Sequence, residues 1–598
     1  MGKNENKTAA PLRIGNEAVC FWSWNDDMDA AEICRQLREF AQGRFGGVVI
    51  HARAGLRIPY MGREWFDAFR VAVDECRRLG LHIFIYDEDG WPSGFAAGRI
   101  PQLGEDYCFK RLAFGTDPAA VGHLLAAYRR TADGCRRLDP AEAQPGDLFF
   151  GYIVDRHYAD LLYPDTTKKF IELVYQRYAD ELGDALGTVV QGAFTDEPQL
   201  NCSGYPWSAA LPDAYRAAYG RDLFDELWLL TEKGEGYAAV RRRFWQLVGR
   251  LFRQNYTGQI AAWCASHGLA LTGHFACEDG LCDQISSSGG VMGHYALMQL
   301  PGIDHLGDRV TSPVLAKQTA SVSRQLGSGQ VLSETFGCAG WGVTFARLSW
   351  IWGRQTALGI TKPCFHLAAY SMEGRRKRDY PAFFSYQEPW WDVFPAFMDW
   401  MEHNDRLMSE GERLCRVLVI SPIVDMMGDY REAAGDRRDI IRTSAQFRQL
   451  VETLLDLQVD VEIGDEGLLA QHGFVGDGCL HLGRGAYDWV FTVGGTLEGS
   501  TVRLLEELLA AGGKVAHVDR LAPGAPMSDP HCMPLQARHE TIEKYLRYAS
   551  FPFETALLEP SGAALASGVL LHRRRVDGRL RLQLVNTSFT QERELLLR

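Results

Sequence analysis

Along the first 400 residues, short continuous apolar runs alternate with longer stretches in which apolar positions recur every three or four residues. Runs of four to eight apolar residues suit strands buried on both faces, and the longer period suits helices lying against them. The strand candidates are Ala18–Trp24, Gly47–Ala52, Leu81–Tyr86, Thr188–Phe194, Leu269–Phe275, Gly302–Leu306, Gln330–Glu334 and Cys364–Ala368. Helical patterns occupy Met28–Gln42, Glu64–Leu79, Thr166–Leu182, Tyr237–His267 and Trp341–Leu358. Eight strands with intervening helices predict a parallel sheet, and the count predicts closure into a (β/α)8 barrel over residues 12–404. A Gly-, Pro- and Asp-rich segment, about residues 103–159, interrupts the rhythm between the third and fourth strands and predicts an inserted subdomain on a βα loop.

Near Asp405 the pattern resets. Strands are expected at Arg416–Ser421, Val459–Ile463, Trp489–Val493 and Val515–Val518, with helices at Ala445–Leu457 and Thr501–Ala511. This predicts an open Rossmann- or flavodoxin-like α/β domain over 405–545. Gly494-Gly495 follows a strand there, but GxGxxG is absent and no acidic residue is correctly placed, so an auxiliary structural role is expected rather than nucleotide binding. From 546 to 598 the pattern becomes β, at Val569–Arg573 and Leu580–Asn586, and predicts a partial β-sandwich module.

Composition narrows the class. The chain has 598 residues, 46% hydrophobic and 23% charged, with a net charge of −13 and no basic cluster. A nucleic-acid or anionic-membrane surface would need a basic face. Fourteen Cys with no CxxC pair form neither a disulfide framework nor a zinc site, so reduced thiols and a cytoplasmic location are expected. Residues 1–11 read as a polar tail without a secretory h-region, and no run of 18 apolar residues predicts a membrane helix.

In a barrel the chemistry lies at the carboxyl ends of the strands. Reading just past each run gives Trp22 and Trp24, His51, Asp87 to Trp91, Asp196 and Glu197, His274 and Glu278, Asp304, Glu334 and His366, with Trp341 a little beyond the seventh strand. Trp faces stack on sugar rings, while carboxylates and His bind hydroxyls, so the rim predicts a carbohydrate cleft. At least one of Trp22 and Trp24 is expected near the ligand.

Glu197 follows strand four and Glu334 ends strand seven, on nearly opposite sides of an eight-stranded barrel. Two such acids can flank one bond, as glycoside hydrolysis requires. Metal hydrolysis fits less well, because the first strand ends Trp22-Ser23-Trp24 rather than HxH, and HExxH is absent. The Asp87-Glu88-Asp89 run could hold Ca²⁺, although a hydrogen-bonded acidic turn is the simpler expectation.

The runs Tyr86-Asp87-Glu88-Asp89-Gly90-Trp91-Pro92-Ser93-Gly94, Phe194-Thr195-Asp196-Glu197-Pro198, Gly302-Ile303-Asp304 and Ser333-Glu334-Thr335-Phe336-Gly337 resemble glycoside hydrolase family 106, the α-L-rhamnosidases and their relatives. Gly374–Pro381 and Pro389-Trp390-Trp391 add to the resemblance, which spans roughly residues 18 to 400. It implies a catalytic (β/α)8 barrel, an inverting mechanism and, in some members, calcium. Glu197 would be the general acid and Glu334 the general base, with carboxyl groups roughly 6.5–9.5 Å apart. Asp196 would raise the Glu197 pKa by like-charge repulsion, and His274, Glu278 and Asp304 would line the sugar subsite. A retaining β-galactosidase-like exo-glycosidase and an inactive carbohydrate-binding barrel are the alternatives. The partner in each case is an oligosaccharide or glycoside.

Overall fold

Eight parallel strands close on one another in the computed structural model: β1 (Val19–Trp24), β2 (Gly47–Ala52), β3 (His82–Tyr86), β4 (Val190–Asp196), β5 (Ala270–His274), β6 (Leu300–His305), β7 (Leu332–Thr335) and β8 (Lys362–Ala369). The structure describes residues 15, 17–200, 204–309, 311–431, 437–518, 534–553, 555–562 and 564–597, so the tail expected over 1–11 lies outside the described residues. Neighbours follow chain order around the ring, and β8 pairs with β1 to close it. All six residues of β1 and of β2 are buried, as strands covered on both faces require.

Alternation along each strand sorts side chains between two layers. Val19, Phe21, Val49, Phe84, Tyr86, Phe194, Leu300 and Leu332 meet inside the barrel. Cys20, Trp22, Trp24, Val48 and Ile50 point outward, into the layer shared with the helices. The first helix, Ala30–Gln42, starts where the Asp29 carboxylate accepts the Glu32 N–H, and it buries Ile33, Gln36, Leu37 and Phe40. The second, Arg63–Leu79, stops at Gly80, whose φ of +73° suits glycine. The long helical stretch expected from Tyr237 is present but carries a π-turn at Arg253–Gly258. The helix expected from Trp341 begins instead at Phe345, capped by Thr344.

The interruption after β3 is a five-stranded antiparallel sheet rather than irregular loop. Its strands Gly134–Leu138, His123–Thr131, Leu148–Ala159 and Cys108–Gly115 lie in that order, and Pro206–Trp207 from the loop after β4 adds the fifth.

Beyond the barrel, β9 (Val417–Ile420), β10 (Val461–Gly464), β11 (Trp489–Val493), β12 (Lys514–Val518) and β13 (Pro534–Leu535) form one parallel sheet in the order β10-β9-β11-β12-β13. This is the flavodoxin-like order, whose ligand crevice would open between β9 and β11. Here the chain fills that crevice itself: Asp425 Oδ2 accepts the Gly495 N–H at 2.9 Å, and Gly494 (φ +99°) leaves 2.7 Å between its missing Cβ and the same oxygen. A small antiparallel sheet, Gly473–Gly476, Cys479–Leu482 and Gly485–Tyr487, is added between β10 and β11.

The C-terminal hairpin, β14 (Val569–Val576) and β15 (Arg579–Asn586), packs Val569, Leu571 and Leu582 against Leu557 and Leu595, beside a two-stranded ladder of Leu557–Leu558 and Leu596–Leu597. It takes Glu412–Arg413 as a third strand and packs on the barrel helix Phe345–Leu358, whose Trp350 Nε1 donates to the Asn586 carbonyl at 2.8 Å. The apolar face of so small a sheet needs that helix to cover it. Barrel and α/β sheet are joined by a buried ion cluster in which Lys317 and Arg413 share Asp460.

Candidate active site

The carboxyl ends of four consecutive strands place their polar residues in one layer. Asp196 of β4 is in register with His274 of β5, and Asp304 of β6 with Glu334 of β7. His274 Nε2 lies 2.9 Å from Glu334 Oε2 and 3.4 Å from Asp196 Oδ1. His366 of β8 brings Nε2 to 3.6 Å from Glu334 Oε1. All of these except Asp304 and Glu197, which are partly exposed, are buried. Glu197 follows β4 with a φ of +47°, a left-handed conformation that is costly for a non-glycine residue and turns the chain at the rim.

Burial penalises the charge on every group here, and the neighbours decide the balance. His274 is pushed down by burial, but its hydrogen bond to Glu334 and the carboxylates of Asp196, Glu334 and Glu278 hold its pKa well above the usual range. It is an imidazolium. Glu334 is raised by burial and by Asp196 and Glu197, against the lowering effect of the His274 hydrogen bond. Glu197 is raised by burial and by Asp196, with His274 opposing. Asp304 is raised by burial and Glu334, and its Oδ1 is buried without a partner.

A second set of groups holds this layer in place. Tyr86 OH donates to Asp196 Oδ2 at 2.6 Å, and the Asp196 N–H donates to Ser93 Oγ at 2.8 Å. Ser93 Oγ in turn donates to Asp87 Oδ1 at 2.6 Å, and Tyr175 OH to Asp87 Oδ2 at 2.7 Å. Glu278 Oε1 accepts the Asp304 N–H at 2.7 Å, and its other oxygen accepts Tyr295 OH. Burial pushes Glu278 up to about 7 despite those donors.

The structure thus brings Asp196, Glu197, His274, Asp304, Glu334 and His366 together, with Glu278 directly behind Asp304. Three other expectations are corrected. Trp22 and Trp24 are fully buried behind β1, with Trp22 Nε1 donating to Gln36 Oε1 at 2.8 Å and Trp24 packed edge-on against Trp65. They follow Phe21, which points into the barrel, so alternation sends them outward. Asp87 follows inward-pointing Tyr86 for the same reason, and it supports Ser93 rather than facing the cleft. His51 lies inside the barrel, stacked on Tyr86 at 3.6 Å between ring centroids, with both ring nitrogens unpartnered. Trp91 (44% exposed) and Trp341 (48% exposed) stand at the rim, Trp341 edge-on to Phe383 of the barrel interior.

Arg53 and Tyr380 belong to the same mouth. Arg53 binds Asp379 through Nε and Nη2 at 2.8 and 2.9 Å, lies over the Trp91 ring at 4.8 Å and over Tyr380 at 5.4 Å, and makes no hydrogen bond through Nη1 among the described residues. The rule that selected His51 also reaches Arg53, two residues later at the same strand end.

The donors present do not suit calcium. Asp87 is committed to Ser93 and Tyr175, and Glu88 accepts the N–H groups of Phe95, Ala96 and Ala97. Asp196, His274 and Glu334 offer one atom each within 4.8 Å of one another. That set is one imidazole nitrogen and two carboxylates, whereas calcium takes six to eight oxygens.

No protein-family model matches the chain. A curated protein of Formosa agariphila named "Putative beta-glucuronidase" is 24% identical over 263 residues, 41% of this chain. The match spans about a fifth (21%) of that relative's own length. A rhamnosidase from Novosphingobium sp. PP1Y superposes with a TM-score of 0.69 at 12% identity, over 96% of this chain and 77% of the other. A β-galactosidase from Marinomonas ef1 gives 0.54 at 10% identity, over 95% and 85%. One from Halorubrum lacusprofundi gives 0.55 at 12%, over 86% and 75%. At these identities the likeness shows a shared fold.

Proposed function

We propose that the protein is a glycoside hydrolase that cleaves a terminal glycosidic bond by acid/base catalysis, with Glu197 as general acid and Glu334 as general base. The observation that carries this is the buried Asp196–His274–Glu334 cluster at the carboxyl rim, with Glu197 and Asp304 beside it. Protons in such a cluster are shared, so the productive arrangement needs the proton on Glu197 and the charge on Glu334. His274 favours it, because the imidazolium is hydrogen-bonded to Glu334 and acts on Glu197 only at longer range. Glu197 then protonates the leaving oxygen while Glu334 draws a proton from the attacking water. The surplus of carboxylates over cations opposes the positive charge that develops on the sugar ring, which stabilises the transition state.

The leading substrate is an α-L-rhamnoside, cleaved with inversion. The resemblance of the rim motifs supports it, and so does the rhamnosidase among the structural neighbours. The β-galactosidases and the relative named for β-glucuronide support a second reading, a β-glycosidase acting with retention. In that reading Nη1 of Arg53 would meet the carboxylate of a uronic acid.

The test is a panel of aryl α-L-rhamnoside, β-galactoside and β-glucuronide, with the anomer of the first product followed by NMR. Glu197→Gln and Glu334→Gln are each expected to lower kcat about 10²–10⁴-fold with the fold intact. Retained turnover in both variants would overturn the assignment. Retained configuration in the product would overturn inversion alone.

A further inference from the structure

We propose that the cavity on the opposite side of the barrel from the carboxylate cluster binds an oxyanion that also carries a proton, of the hydrogen-phosphate class. The cavity measures about 670 Å³. It lies below the amino ends of β7 and β8, where Gln330 and Thr361 line it, and is closed by helix Pro313–Leu326, by residues 408–413 and by β14.

Four arginines line it, and Arg324, Arg413 and Arg574 are held in the same manner. Arg324 gives Nε and Nη2 to Glu462, and Nη2 also to Tyr487 OH. Arg413 gives Nε and Nη2 to Asp460, each at 2.8 Å. Arg574 gives Nε and Nη2 to the carbonyls of Ser409, Glu410 and Gly411. In each case Nη1 makes no hydrogen bond within the described residues. The planar guanidinium fork is thereby fixed on its inner edge and leaves its outer donors for a ligand.

The local charge is uncompensated. Asp460 is shared between Arg413 and buried Lys317, and Arg574 has no carboxylate partner among the described residues. Crowding by Arg413, Arg581 and Arg324, after burial, pushes Arg574 down to about 10. Glu410 and Glu412 also line the cavity; Glu410 pairs with Arg581, and Glu412 sits opposite Arg575 across the antiparallel pair. This concentration of positive charge stands on a chain whose net charge is −13.

The fourth feature selects among anions. His572 is 2% exposed and lines the cavity, and its Nε2 is buried without a partner. Its Nδ1 lies 3.1 Å from the Ala357 carbonyl. A carbonyl only accepts, so Nδ1 carries the proton and Nε2 presents a lone pair. Burial, then the charges of Arg413, Lys317 and Arg574, push the ring down to about 3, which keeps it neutral. The wall therefore offers donors for anionic oxygens and one acceptor for a ligand O–H. Hydrogen phosphate satisfies both, whereas sulfate satisfies only the donors.

The full chain is titrated calorimetrically at pH 7 with sodium phosphate, sodium sulfate and a hexose phosphate, at matched ionic strength. Phosphate is expected to bind at least about tenfold more tightly than sulfate. The hexose phosphate, mostly an unprotonated dianion at pH 7, is expected to bind more weakly than phosphate, and tighter binding would overturn the need for a protonated anion. Arg574→Gln is expected to weaken phosphate at least about tenfold. His572→Asn, whose amide can still donate to the Ala357 carbonyl, is expected to bring phosphate and sulfate within about threefold of each other. Equal binding of the two anions by the wild type, binding of neither, or an unchanged preference in His572→Asn would overturn the proposal. Because His572→Asn leaves the Arg574 caps intact, it decides the matter if Arg574→Gln fails to fold.

Discussion

Replacing His274 with glutamine removes one positive charge from the centre of the site while leaving an N–H that can reach Glu334. The imidazole Nε2 stands 2.9 Å from Glu334 Oε2. Both charges are delocalised, so their centres are taken as about 5 Å apart. With an effective dielectric of about 20, the lost attraction is about 3 kcal/mol, or about two pKa units. The sign follows from the roles. Glu334 must be ionised to act as base, so kcat/KM rises with pH through its pKa, and loss of the cation raises that pKa further. The acid limb of the profile should move about two units to the alkaline side, costing about 100-fold at pH 7. His274 also lowers the Glu197 pKa, so the alkaline limb should shift the same way by less. Activity should therefore be partly recovered near pH 9. The assay is kcat/KM on an aryl glycoside from pH 4 to 10, with the melting temperature recorded for both proteins. A loss by the same factor at every pH would refute the electrostatic role and leave His274 only an orienting one.

Further outcomes follow from burial and charge. Trp22→Phe should lower the unfolding free energy by about 1–3 kcal/mol, through the lost Gln36 hydrogen bond and lost volume. KM should stay unchanged, since Trp22 does not reach the cleft; denaturant unfolding and steady-state kinetics check the pair. Asp405, buried and pushed up to about 8 by burial against the Trp352 and Asn404 hydrogen bonds, contributes stability present below its unfolded pKa and lost as pH rises toward 8. Asp405→Asn should flatten that part of the fall in urea midpoint between pH 5 and 8. Chelation with EDTA should leave turnover unchanged, because the site's donors do not suit calcium; a loss restored by added Ca²⁺ would contradict that.

The barrel was legible because its strands are buried on both faces, which writes them as continuous apolar runs that few other structures produce. The sixth run was the weakest of them, because Leu300-Pro301-Gly302 opens with a proline and a glycine that disguise a strand. The inserted sheet was hidden for the opposite reason. Its strands run out into exposed polar ends, as in Arg129-Arg130-Thr131 and Arg136-Arg137, and turn residues between them dominate the composition. At the rim, position after a strand located Asp196, Glu197, His274, Asp304, Glu334 and His366 but could not say which way each side chain points. Trp22, Trp24 and Asp87 failed on that ground, although the alternation that decides it was already present in Phe21 and Tyr86. Arg53 was missed because a lone arginine after a strand carries no signal until Asp379, 326 residues away, is seen to hold it.

Asp87 shows how such a failure still bears on function. It is absent from the cleft, yet its carboxylate fixes Ser93 Oγ, which receives the Asp196 N–H, and Asp196 in turn flanks His274. A buried carboxyl pushed up to about 7, chiefly by burial, is poised to exchange its proton in the pH range where the cluster works. When Asp87 is ionised it accepts both the Ser93 and Tyr175 hydroxyls, which leaves the Ser93 lone pair for Asp196. The acidic run after β3 thus acts through hydrogen bonds behind the strand rather than in the cleft, and it constrains the backbone that presents Glu197.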